Sequence, residues 1–289
     1  MEGIFMAKIV VENLKYKYPL SEKLVLDNVS FEVNPGEFIG IIGRNNSGKS
    51  TLCQALVGLV PNFYKGAYGG KVIIDDIEVA KSDTSEMCKK VGIVFQNPFN
   101  QVTGSKMTVY EEIAFGLENL GIKRDEMIER IDEAMELLDI SKYKDRNPFD
   151  LSGGQMQRMA IASIIAMKPE IIILDEPTSQ LDPQGSEEVF RAVQALSKKG
   201  ISIIMVEHKI EKIAEYSDKV LLLNDGKLID FDIPEKIFSM DNLMEYGIKP
   251  PIFTEVCREL GFYDKETNLY PVTLKQAEKI LSCKKMEEL

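Results

Sequence analysis

The sequence is poor in the residues that most often build a site. Among 289 residues there is one histidine, His208, and there are four cysteines, Cys53, Cys88, Cys257 and Cys283. The cysteines are far apart and none has the spacing of a metal site, so free thiols in a reducing cytosol are the expectation. No apolar run approaches the roughly 18 residues that a membrane-spanning helix needs. The start, Met1 to Val10, lacks a basic region followed by a long apolar stretch. The chain is therefore not expected to cross a membrane by itself. Basic residues are outnumbered, 35 against 46 acidic, and the formal charge of −11 argues against a nucleic-acid-binding surface. Internal repeats and low-complexity segments are also missing.

What is present is a full core and a set of blocks at strand ends. The chain is 44% hydrophobic, and its length suits one large domain with a small appendage. Gly43-Arg44-Asn45-Asn46-Ser47-Gly48-Lys49-Ser50 has the GxxxxGKS form. It follows the apolar strand Phe38-Ile39-Gly40-Ile41-Ile42 and leads into a helix at Thr51-Leu52. Strand, glycine-rich turn and helix start together are the context in which this motif binds phosphate. The glycines let successive N–H groups converge on phosphate oxygens, and the helix N-terminus adds favourable partial charge. The expected phosphate ligands are Gly43, Asn45, Asn46, Ser47, Gly48, Lys49, Ser50 and Thr51. Lys49 is expected to reach the β and γ phosphates, and Ser50 to hold Mg²⁺.

A second block, Ile171-Ile172-Ile173-Leu174-Asp175-Glu176-Pro177, is an all-apolar run that ends in two acids. Such runs suit parallel strands covered on both faces, whose carboxyl ends collect ligands. Here Asp175 is expected at the Mg²⁺ hydration shell and Glu176 at the attacking water. A third block, Leu151-Ser152-Gly153-Gly154-Gln155, reads as an N-cap followed by a helix, with glycines that permit close approach of a ligand. His208 ends another apolar run, Ile203-Ile204-Met205-Val206-Glu207. Alone it would read as a packing or surface residue.

At this spacing before the Asp175-Glu176 strand, Leu151 to Gln155 resembles the defining motif of ATP-binding cassette (ABC) ATPases. The resemblance covers roughly residues 7 to 224, with six motifs in the expected order. It implies that Gln96 is the glutamine that contacts Mg²⁺ and the attacking water and links the core to a transport partner. It implies that Asp182, in Ser179-Gln180-Leu181-Asp182, couples two active sites, and that His208 senses the γ-phosphate. Tyr18, in Tyr16-Lys17-Tyr18-Pro19, falls where the family has an adenine-stacking aromatic; an edge-strand aromatic is the other reading. The family arrangement sets Lys49, Ser50, Gln96, Asp175, Glu176 and His208 on one side of ATP, and Ser152 and Gly154 of a second chain on the other, with Gly153 and Gln155 in the same motif. One chain carries one such set, so a second ABC ATPase subunit, identical or related, is implied. Three positions depart from the family: Asn46 and Gln180 stand where glycine is usual, and Glu207 where threonine is common. Asn46 enters left-handed backbone geometry more readily than most residues.

The expected fold is α/β: an ABC-type P-loop NTPase with a RecA-like parallel-sheet core, an antiparallel β subdomain, a helical subdomain and a small α-helical C-terminal region. Residues 7 to 40 alternate around turns such as Asn34-Pro35-Gly36 and suggest the antiparallel layer, joined by Lys71 to Ile77. Helical stripes, Ile113, Ala114, Leu117 and Leu120, then Met127, Ile131, Ala134, Met135 and Leu138, place the helical subdomain at about 97–167. The nucleotide-binding domain is expected to run through 224. Residues 225–289 form the C-terminal region, with short helices at Ile233–Met240 and Phe253–Leu260 and a capping box at Thr273-Leu274-Lys275-Gln276. A disordered tail is the alternative for this region.

Phe95-Gln96-Asn97-Pro98-Phe99-Asn100-Gln101 and the stretch Val109 to Asn119 resemble ATPases of energy-coupling factor (ECF) and cobalt or nickel importers. That resemblance implies a transmembrane coupling protein and a substrate-binding membrane subunit as partners, and a place on the cytoplasmic face of the membrane. It also implies that the C-terminal region helps hold the ATPase dimer. A generic ABC importer ATPase is the alternative. A soluble ABC ATPase acting on nucleic acid or ribosomes is disfavoured by the single cassette, the acidic balance and the lack of long heptads.

Overall fold

The computed structural model describes residues 8–287, with side chains through residue 282. The expectations about residues 1–7 and the Cys283 thiol lie outside the described residues. Cys53, Cys88 and Cys257 are free thiols. Among the described residues, ten strands form two sheets. β1 (Ile9–Lys17), β2 (Leu26–Val33), β4 (Ala67–Ile74) and β5 (Ile77–Glu78) make an antiparallel sheet in the order β2-β1-β4-β5. β3 (Phe38–Ile42), β6 (Val91–Val94), β7 (Ile171–Asp175), β8 (Ser202–Val206), β9 (Lys219–Asn224) and β10 (Lys227–Asp232) make a second sheet in the order β10-β9-β3-β8-β7-β6. In it β9, β3, β8, β7 and β6 are parallel, and β10 pairs antiparallel with β9.

The two-residue alternation of a strand explains how the six-stranded sheet is covered on both faces. Ile171, Ile173, Ile204 and Val206 join a core with the antiparallel sheet and with Leu52, Cys53 and Leu56 of the helix Lys49–Leu56. Ile172, Leu174, Ile203 and Met205 face the other way, into a core built by Ile113, Leu117, Ile131, Met135, Met159 and Phe190. β3, β7 and β8 are buried at every residue. Such strands leave only their ends open to ligands.

The helical region holds helices Val109–Asn119, Arg124–Leu137 and Gly153–Ala166. Of the two helical stripes, Ile113, Ala114, Leu117, Ile131, Ala134, Met135 and Leu138 are buried, and Leu120 and Met127 are half-buried. Two details differ from the sequence reading. Residues 38–40 belong to the parallel sheet rather than the antiparallel layer, because Phe38 to Ile42 is apolar throughout and pairs with β8 and β9. The 224/225 division falls at the turn of the β9–β10 hairpin, so the sheet continues to Asp232. The segment beyond it holds the helices Pro234–Phe238, Ile252–Leu260 and Leu274–Glu287. It packs on the sheet through Ile237, Phe238, Leu243, Ile248 and Val272 against Ile42, Val220 and Leu222. The Thr273 capping box is formed: the Thr273 hydroxyl accepts from the Gln276 N–H at 3.4 Å, and the Gln276 side-chain carbonyl accepts from the Thr273 N–H at 3.2 Å.

Candidate functional site

The carboxyl ends of β3, β7 and β8 meet at a cavity of about 700 Å³, within the size range of small-molecule sites. Its wall is the loop that β3 feeds into the helix Lys49–Leu56. Gly48 adopts φ +102°, and a side chain there would start 2.6 Å from the Val25 carbonyl, so glycine is required. Asn46 adopts φ +63°, the left-handed geometry that its residue type tolerates. Lys49 is buried, and its ammonium donates to the carbonyls of Gly43 at 3.0 Å and Arg44 at 2.8 Å. Burial pulls its pKa down, against the opposing pull of Glu176 and Asp175.

Asp175 ends β7, 7% exposed, and its Oδ1 has no hydrogen-bond partner in the protein. Burial raises its pKa, against the Ser50 hydroxyl and the Lys49 charge, which favour the ionised form. A buried carboxylate oxygen without a donor, beside a serine hydroxyl, suits a hard cation of the Mg²⁺ type. Glu176 follows in left-handed backbone geometry, φ +50°, an uncommon state for a residue with a side chain and one that clusters at functional sites. Its two carboxyl oxygens are held from opposite sides. Oε2 accepts from Gln96 Nε2 at 2.6 Å, and Oε1 lies 3.0 Å from His208 Nε2.

Tyr18 lies just past β1 and lines the same cavity. Its hydroxyl is 3.2 Å from Thr51 Oγ1 and donates to Gln54 Oε1 at 3.3 Å, which pins the ring beside the phosphate loop. Asn45, Asn46, Gly48, Lys49, Ser50, Thr51, Gln96, Glu176 and His208 also line the cavity. Ser47 is buried behind them.

The remaining predicted residues do not line it. Ser152 caps the helix Gly153–Ala166 in a reciprocal capping box with Gln155. Gly153 lies against Gln180 and Gly154 against Leu181. Asp182 caps the helix Pro183–Ser197 by accepting from the Gly185 N–H at 2.7 Å. The sequence reading omits Val25 and gives Glu207 no role beyond a departure from the family pattern. Val25 lines the cavity, yet a lone apolar residue ahead of a strand carries no signal. Glu207 is buried just past β8, and an acid that closes an apolar run is the one hint the sequence offers.

The family described as "ABC transporter" matches residues 26–179. The chain belongs to that family. It is 44% identical over 84% of its length to an energy-coupling factor transporter ATP-binding protein, EcfA1, of Lacticaseibacillus paracasei, of which 85% is covered. It is 41% identical over 94% of its length to an EcfA2 of Clostridium tetani, covering 96% of that protein. Its fold matches that of cbiO1 from Clostridium perfringens, described as part of the ABC transporter complex cbiONQ. That match has a TM-score of 0.71 and 32% identity, over 83% of this chain and 93% of that one. An ABC ATPase hydrolyses ATP to ADP and phosphate coupled to transport, and that is the activity of this chain. Among the described residues no helix is long and apolar enough to cross a membrane.

Proposed function

We propose that this ABC ATPase is a peripheral subunit on the cytoplasmic face of a membrane, energising an ECF-type importer of a vitamin or transition-metal ion. ATP binds with its phosphates in the loop 43–51 and its adenine against Tyr18. On binding, the Lys49 ammonium exchanges the carbonyls of Gly43 and Arg44 for phosphate oxygens. Asp175, Ser50 and Gln96 would hold Mg²⁺, which supplies charge neutralisation at the phosphates when bound. Glu176 polarises the attacking water, and His208 meets the γ-phosphate from the far side of Glu176. Phosphoryl transfer of this kind depends on positioning and charge neutralisation more than on covalent chemistry. Ser152 and Gly154 act on the nucleotide of a second ATPase subunit, and Asp182 couples the two sites.

The observation that carries the importer reading is a surface. The helical region between Gln96 and the helix Gly153–Ala166 exposes Phe99, Met107 and Phe149, with Gly104 beside the Phe149 ring. Exposed aromatic and methionine side chains there suit an apolar partner segment. A transmembrane coupling protein fits, and motion of Gln96 would then reach it directly. A second surface supports a dimer. Ile252, Val256 and Leu260 form an exposed apolar stripe at four-residue spacing on one helix of the C-terminal region.

The test is mass spectrometry of what co-purifies with the tagged chain from detergent-solubilised native membranes. Recovery of a multi-helix coupling protein with a small membrane subunit is expected. Recovery of soluble or ribosomal partners alone would overturn the importer reading and leave the ATPase standing.

A further inference from the structure

Glu207 has no part in the chemistry above, yet it is the most deeply placed acid of the site, 3% exposed. Carboxyl groups are seldom buried unless fully partnered. The partners of this one all belong to the segments that carry Glu176 and His208. Oε2 accepts from the Thr178 hydroxyl, two residues past Glu176. Oε1 accepts from the backbone N–H of His208 at 2.8 Å and of Lys209 at 3.3 Å. Lys209 adds a second tie, donating from Nζ to the Thr178 carbonyl at 3.3 Å and to the Ser186 hydroxyl. The imidazole of His208, by contrast, is 46% exposed and meets Glu176 across the cavity mouth. Its aim therefore depends on the backbone that Glu207 holds.

We propose that Glu207 is a positioning residue for hydrolysis. Its carboxyl group fixes the backbone of His208 against the Glu176-Pro177-Thr178 segment, so that ring and carboxylate stand at a set separation when the γ-phosphate lies between them. The inference rests on the reading of His208 as the γ-phosphate partner. Misplacement of a catalytic group by about 1 Å costs on the order of 100-fold in rate, so loss of this anchor acts on turnover and leaves ATP binding alone.

The test uses the full-length chain with its co-purified partners, measuring ATP turnover against ATP concentration, affinity for a fluorescent ATP analogue, and melting temperature. Glu207→Ala is expected to lower kcat by about 10- to 100-fold with KM and analogue affinity within about twofold. Glu207→Gln keeps an acceptor for both N–H groups and restores most of the rate. Glu207→Asp, which keeps the charge but shortens the reach, falls between them and serves if the alanine variant does not fold. In a His208→Ala background, Glu207→Ala adds nothing, because two residues acting as one unit are not additive. An undiminished kcat in Glu207→Ala would overturn the proposal. So would the same fold-loss in both backgrounds, or a loss of turnover matched by lost analogue binding. Wild-type turnover by His208→Ala alone would refute the γ-phosphate reading itself, and the positioning role with it.

Discussion

The phosphate cradle and the Ser152 helix start are both glycine-rich turns at helix N-termini, but they are in opposite conditions. In the cradle the polar groups look inward. Lys49 is bonded to two loop carbonyls, and both oxygens of Glu176 have partners in the same chain. Ser152 is exposed, away from the cavity, and satisfied only by its own capping box with Gln155. The first N–H groups of its helix have no intrahelical acceptor, and such groups suit an anion. On the proposed function, one chain binds nucleotide in its own cradle and offers the Ser152 helix start to the nucleotide of a second subunit. The two halves should therefore respond differently to substitution.

The largest effect is expected on the cradle side. Glu176→Gln removes the group proposed to polarise water and should lower kcat by about 10²- to 10⁴-fold while ATP still binds. Turnover near the wild-type rate would end the assignment of Glu176. On the other side, Ser152→Arg should lower turnover by roughly 100-fold in the assembled protein. Analogue affinity of the isolated chain should stay within about twofold of wild type. Equal loss of both would place Ser152 in the chain's own cradle and erase the contrast.

Smaller effects sharpen it. Arg44, inside the phosphate loop, donates to the Glu245 carbonyl at 2.6 Å and so ties the cradle to the C-terminal region. Arg44→Ala should remove about 1 kcal/mol, seen as a melting temperature lower by roughly 2–4 °C, with KM for ATP raised. Glu187 braces the helices that follow Asp182 and His208. It meets Lys212 at 2.6 Å, Tyr216 at 2.9 Å and Arg191 at 3.0 Å. The hydrogen bond from Lys212, with those of Tyr216 and Arg191, pulls its pKa from 4.5 down to about 2. A carboxylate lowered on folding adds stability above its ordinary value and loses it as pH falls toward the folded one. Glu187→Gln should therefore melt below wild type above pH 4.5, with the gap closing as pH approaches about 2. A constant gap across that window would remove the ion pairs from the account.

The blocks legible in the sequence are those in which chemistry and fold share one short stretch. Gly43 to Ser50 combines its glycine geometry with the proposed phosphate ligands, and Ile171 to Glu176 joins a buried strand to acids at its tip. Residues whose role depends on a distant partner were not legible. Glu207 is anchored by Thr178, 29 positions earlier, and no local pattern announces that pairing. Val25 lines the cavity, with its carbonyl beside Gly48, a contact between separate segments that no local pattern marks. β10 has no clear strand signal, because Lys227 to Asp232 mixes charges with apolar residues, as an edge strand does, and its register is set by the hairpin with β9.

The most direct test of the divided site is a photo-crosslinker attached to Ser152→Cys in a Glu176→Gln background, within the complex purified from membranes. With ATP present, the account predicts a crosslink between two chains that maps to the phosphate loop of the opposite ATPase subunit, and its loss when ATP is withdrawn. Crosslinks confined to a single chain, or a pattern indifferent to ATP, would contradict it.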